Sequence, residues 1–266
     1  MALTSDSLIE RTHLKRQLGF WRILAVVIAV IFLILLVEKN ARLESLGGGG
    51  DSFIARVKIE NIVMDDAKQQ QFLRDIAKND NIKAVIVYLD TPGGSAAGGE
   101  SIKKLLEQIA KKKPVVASMR AMCASAGYMI SLGADRVYAM DGTLTGSIGV
   151  IIQSADFSEL AQKIGVKPVI IKSGPYKDIL NPARPVTPEE RALLQESIDS
   201  FYNAFIDMIV KARKMPREEI LKVADGRVFS GRQALEHGLI DAIGGESEAL
   251  QWLRKERGID PKLEVK

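Results

Sequence analysis

Beyond residue 50 the chain alternates short apolar runs with longer amphipathic ones. The stretches "FIARVKI" (53–59), "KAVIVYLD" (83–90), "PVVASM" (114–119), "DRVYAM" (135–140) and "KPVIIKS" (167–173) are short and β-branched, as strands are. The unbroken apolar runs at 83–90 and 114–119 suit strands covered on both faces. Between them, 65–80 is a polar helix with Phe72, Leu73 and Ile76 on one side, 100–113 is amphipathic, and a further helix is expected from about Ser125. Such βαβ alternation predicts an α/β domain whose parallel sheet carries helices on both faces. The C-terminal part is richer in helix. Residues 187–214 open with Thr187 as N-cap, Pro188 at the first helical position and Glu190 closing a capping box. Leu194, Ile198, Phe201, Phe205, Met208 and Ala212 then form a stripe that must pack on the sheet or on another subunit. Two shorter helices are predicted at 230–238 and 247–258.

The pattern before residue 50 is of another kind. "FWRILAVVIAVIFLILLVEKN" (20–40) holds an uncharged run from Ile23 to Val37, extended by Phe20 and Trp21, with Arg22 able to snorkel. It predicts a membrane anchor over 20–40. The sequence after it lacks the small-residue pattern of a signal-peptide cleavage site. Arg11, Lys15, Arg16 and Arg22 before the run outweigh Lys39 and Arg42 after it. That places a cytoplasmic segment over 1–22 and everything after residue 40 outside the cytoplasm, as for a single-pass membrane protein. "GGGG" (47–50) makes 41–50 a flexible linker to one domain over 51–266.

Composition narrows the chemistry. A net charge of +4 in 266 residues is too small to suggest nucleic acid as a partner. The lone Cys123 excludes an internal disulfide, and no Cys/His cluster has metal-ligand spacing, so neither a metal nor a cofactor is expected. Only His13 and His237 are available as imidazoles. His13 falls on the cytoplasmic side of the anchor, and His237 sits in a charged helical segment.

In an open parallel sheet, reactive groups gather at the carboxyl ends of strands. Three loops qualify. In "DTPGGS" after Asp90 the two glycines free the backbone to turn an N–H outward, as an ordinary turn or as an oxyanion donor. In "AMCASAGY" (121–128), Ser125 is either the N-cap of the helix it opens or a nucleophile beside the N–H of Ala126. In "KSGPYKDILNPARP" (172–185), Lys177 is a candidate base, because a desolvated lysine amine can take a proton. Cys123, two residues before the serine, has no histidine placed to activate it and reads as a packing thiol.

Taken in order, "TPGGS", "CASAGYMIS", "LTGSIGV", "IKSGPYKDI" and "ADGRVFSGRQALEHGLID" (224–241) resemble the short bacterial form of signal peptide peptidase A. The resemblance covers roughly residues 51–255 and the N-terminal anchor. It implies a Clp protease/crotonase-like fold and a Ser-Lys dyad: Ser125 as nucleophile, Lys177 as base, and Ser147 holding the lysine amine. The backbone N–H groups of Gly94 and Ala126 would form the oxyanion hole. The family usually has glycine where Ala126 stands, which tightens the pocket without removing the donor. Hydrophobic peptides such as remnant signal peptides are the implied substrates, and a ring- or dome-shaped homo-oligomer the implied assembly. Three alternatives stay open: a stomatin-partner membrane protease with the same dyad, a crotonase-like acyl-CoA enzyme, and a catalytically dead scaffold.

Overall fold

The computed structural model describes Trp21, residues 25–34 and residues 52–266. Residues 25–34 are helical, and among the described residues no helix is long and apolar enough to cross a membrane. The remainder of the anchor expected over 20–40, the cytoplasmic segment and the glycine linker lie outside the described residues.

Residues 52–266 form one unit built on a seven-stranded sheet. β1 (Phe53–Glu60) is followed by α1 (Ala67–Lys78), β2 (Ile82–Thr91), α2 (Ala96–Ala110), β3 (Val115–Ala124), α3 (Ala126–Ser131) and β4 (Arg136–Ala139). β5 (Leu144–Gly146), α4 (Ser158–Lys163), α5 (Pro188–Arg213), α6 (Arg217–Leu221), β6 (Val228–Ser230), α7 (Gly231–Glu236), β7 (Ala242–Ile243) and α8 (Glu246–Glu256) complete it. The order β1-β2-β3-β4-β7 is parallel throughout. β3 is long enough to serve two neighbours on one side. Its first half pairs β4 (Val116↔Arg136) and its second half pairs β5 (Cys123↔Thr145); β5 in turn pairs β6 antiparallel.

Successive strand residues point to opposite faces, and here both faces are covered. Val85, Val87 and Leu89 of β2 join Leu73, Ile102, Leu106, Tyr128, Phe205 and Ile209 in the main core. Ala84 and Ile86 face the other way, against Ala249, Trp252 and Leu253 of α8. Two-sided burial is why these strands read as continuous apolar runs rather than alternating ones.

The expected parallel α/β sheet is therefore present, with four departures. α2 starts at Ala96, because Ser95 accepts the Gly98 N–H and caps it four residues earlier than expected. β3 runs on to Ala124. The short β5, β6 and β7 were not anticipated. The largest departure is 167–173, which forms no strand: Val169 is 86% and Ile171 96% exposed. It belongs to an excursion in which no residue from 149 to 189 is buried, and among the described residues no strand pairs with it. Of the α5 stripe, Phe205 is buried with Ile206 and Ile209, whereas Phe201 stays exposed.

Candidate active site

The site starts from the fork in β3. Ala124 pairs with Gly146, and one residue further the Ser125 N–H donates to the Gly146 carbonyl at 2.9 Å. The Ser147 N–H, directly after β5, donates to the Arg227 carbonyl at 2.8 Å. Two serines thus leave two paired strands at the same level. Both have left-handed backbones, with φ of 53° at Ser125 and 49° at Ser147. For a residue with a side chain this costs on the order of 1–3 kcal/mol and persists only where the surroundings impose it. Ser125 occupies the position before α3, yet its side chain makes no capping hydrogen bond. Ser125 is thus the N-cap by position, but its hydroxyl does not do the capping.

The glycine loop folds onto this serine. β2 ends at Thr91, whose Oγ1 accepts the Gly93 N–H at 3.0 Å. Val63 bridges the loop, donating to the Gly93 carbonyl and accepting from the Ser95 N–H, both at 2.8 Å. The N–H of Gly94 is left outside that ladder. A methyl group on Gly93 (φ 109°) would lie 2.7 Å from Ser125 Cβ, and one on Gly94 (φ 152°) 2.2 Å from the Val63 oxygen. Only glycines allow the loop to lie this close. Ala126, at the first position of α3, has no acceptor within the helix for its N–H. Its methyl is accommodated by Gly99 of α2, where an added Cβ would stand 3.1 Å from it. The residue in which this chain departs from the expected glycine has its space provided from across the packing.

Gly94, Ser125, Ala126 and Ser147 line one cavity of about 780 Å³. Its other walls are chiefly apolar: Met129, Ile148, Val150 and Ile152, with Ile198, Phe201 and Phe205 from α5. Gln195, Asp199 and Asp225 add polar groups, and the Asp225 carboxylate is engaged by the Arg227 guanidinium, which holds it down at about 2. Four of the five residues singled out from sequence therefore meet in one place.

Lys177 does not join them. It is exposed, on a turn in which its N–H donates to the Gly174 carbonyl at 3.4 Å, and it does not line the cavity. His237 is exposed with its ring edge-on to Phe229, centroids 5.0 Å apart, and it too lies off the cavity. Cys123 is fully buried, and burial pushes its thiol far above the ordinary range. That is the opposite of what a thiol nucleophile needs. The sequence reading passed over Asp178 and Arg184, which form ion pairs beside Lys177. The signal was present: Lys172, Asp178, Arg184 and Glu190 recur six residues apart with alternating sign.

The chain also has relatives among known proteins. The model of a family described as "Peptidase family S49" matches residues 107–260. A Synechocystis protein named "Putative protease" is 38% identical over 80% of this chain and 77% of its own length. An Enterococcus faecium protein named "Putative signal peptide peptidase SppA" is 33% identical over 79% of this chain and 65% of its own. Among solved structures, a membrane-bound stomatin-specific protease superposes with a TM-score of 0.55 at 19% identity, covering 82% of this chain and 98% of that one. At that identity the likeness concerns the fold.

Proposed function

The chain belongs to peptidase family S49, and from that premise we propose that it is a serine endopeptidase for hydrophobic peptides, working with Ser125 as nucleophile and Lys177 as base. The observation that carries this reading is the Ser125 hydroxyl itself. It is held in a strained backbone, unused by its helix, and lines a largely apolar cavity beside the N–H groups of Gly94 and Ala126. In the reaction, the Lys177 amine takes the hydroxyl proton as Ser125 Oγ attacks the peptide carbonyl. The two N–H groups stabilise the resulting oxyanion, and the lysine returns the proton to the leaving amine. Water, deprotonated by the same lysine, then releases the acyl group. Ser147, adjoining Ser125 across the strand pair, orients the amine.

Lys177 stands outside the cavity of its own chain, so the dyad forms when its segment moves in or when a neighbouring copy supplies it. The second route is favoured by the apolar surface of that segment: Ile151, Phe157, Ile164, Val169 and Ile171 are each more than half exposed. Surface of this kind supports a homo-oligomer. An interface would also strip water from the amine, the condition under which lysine acts as a base. With the anchor expected over 20–40, the catalytic domain faces the extracytoplasmic side of the membrane, and signal-peptide remnants are the natural hydrophobic substrates. The fold likeness to a stomatin-specific protease keeps a membrane-protein substrate as the second reading. Comparing hydrolysis of signal-peptide and stomatin-derived peptides separates the two.

Ser125→Ala and Lys177→Ala should each abolish hydrolysis of a hydrophobic peptide and leave the fold intact. Mixing the two inactive proteins under conditions that allow subunit exchange should restore activity if the base comes from a neighbour. Near-normal turnover by Lys177→Ala alone rejects the dyad.

A further inference from the structure

The segment carrying Lys177 is held by charge rather than by burial. Lys172 Nζ donates to Asp178 Oδ1 at 2.5 Å and to the Pro175 carbonyl at 2.8 Å, closing the turn in which Lys177 sits. Arg184 grips the same carboxylate from the other side, with Nε to Oδ2 and Nη2 to Oδ1 both at 3.1 Å, and Nη2 also reaches the Asp178 carbonyl at 3.1 Å. The guanidinium then turns to Glu190, with Nη1 to Oε2 at 2.8 Å and Nη2 to Oε1 at 2.6 Å. Glu190 is itself buried at the start of α5, where its Oε2 accepts the Thr187 N–H at 3.0 Å. One planar cation thus spans the residue next to Lys177 and the first turn of the helix that walls the cavity.

Isolated surface ion pairs contribute little to stability, since solvent screens them and holding two side chains costs entropy. A guanidinium bound in fork geometry to two carboxylates differs in its directional precision. It fixes where a backbone lies, which is what an otherwise unburied catalytic turn lacks. We infer that Arg184 is a positioning residue for the Lys177 base: by bridging Asp178 and Glu190 it locks the Lys177 turn onto α5, so that the amine is presented at one place on the subunit. This rests on the reading of Lys177 as the base. It holds whether the amine serves its own Ser125 or that of a neighbouring copy.

The test uses the full-length protein and a hydrophobic fluorogenic peptide, with Arg184→Ala, Glu190→Gln and Lys177→Ala assayed side by side. Misplacement of a catalytic group by about an ångström can lower turnover by roughly 10²-fold, so Arg184→Ala should show a kcat loss of about that order with KM within about threefold. Added guanidinium should restore part of the activity of Arg184→Ala and none of that of Lys177→Ala. Glu190→Gln should lose kcat in the same sense but less, and if Arg184→Ala does not fold, Arg184→Lys and Glu190→Gln carry the same kcat-against-KM comparison. A loss confined to KM, a loss that guanidinium leaves untouched, or kcat within about twofold of the parent overturns the inference. If Lys177→Ala is inactive while the Arg184 and Glu190 variants turn over normally, the inference alone falls. If Lys177→Ala is active, the dyad falls with it.

Discussion

The two halves of the candidate machinery are secured by opposite means. Ser125, Ser147, Gly94 and Ala126 hang from strand ends and packed helices, and their relation is set by backbone hydrogen bonds and close van der Waals contact. Lys177 rides on an excursion in which nothing from 149 to 189 is buried and side-chain ion pairs supply the ties. The first half is completed by folding, because the groups that position it are core groups. The second has no core beneath it, and its apolar side chains, Ile151, Val169 and Ile171 among them, stand exposed. On the proposed reading, the Ser125 half would be ready in the folded subunit and the Lys177 half would be completed on assembly.

Three experiments would break or sharpen that contrast. The largest effect is expected from Gly94→Ala. A methyl 2.2 Å from the Val63 oxygen must displace the loop, and losing an oxyanion donor costs about 10²–10³ in turnover. A variant with parental kcat would show that this N–H is not used. Next come paired substitutions of one residue type. Ile86→Ala, in the covered sheet, should destabilise by about 2–5 kcal/mol. Ile171→Ser should change subunit stability by no more than about 0.5 kcal/mol, while lowering the assembled mass in sedimentation and the activity with it. Equal effects on stability would erase the distinction between the two regions. The smallest effect is an acid titration of the ion pairs. The Arg184 guanidinium, then the Thr187 N–H, hold the Glu190 carboxyl down at about 2 from an ordinary 4.5, and Arg184 and Lys172 hold Asp178 lower still. Carboxylates depressed in the folded state stabilise it above their ordinary range and cease to do so as the pH falls through the folded value. Hydrogen-exchange protection over 172–190 should therefore survive below the ordinary carboxylate range and fade towards about 2. Loss at a higher pH would show that the network does not hold the turn.

Much of the sheet was legible because two-sided burial leaves a plain mark. β2 and β3 announce themselves as continuous apolar runs, and the Thr187–Glu190 capping box marks the start of α5 to the residue. The same rule misled at 167–173. An apolar run of strand length is all the rule asks for, and it does not say whether a partner strand lies within the same chain. β5 escaped for the converse reason, since "LTG" is too short and too glycine-rich to show a period. With it went the physical reason for Ser147, whose place is fixed by β5 pairing the far end of β3. Ser125 is open to two readings in sequence, and only the structure shows that its hydroxyl makes no capping hydrogen bond. Asp178 and Arg184 went unread because they lie in a loop, where no helical or strand period organises the charges.

The division of labour along the cavity has a consequence for how such an enzyme diversifies. Its reactive end is backbone and small side chains wedged between sheet and helix, where nearly any change in size collides. Part of the remaining wall comes from Phe201, exposed on α5, and from the strand-free stretch at 150–152. If Ser125 is the nucleophile, as proposed, mutations there would alter which peptide is admitted and leave its support in place, so taste could drift while chemistry stands still.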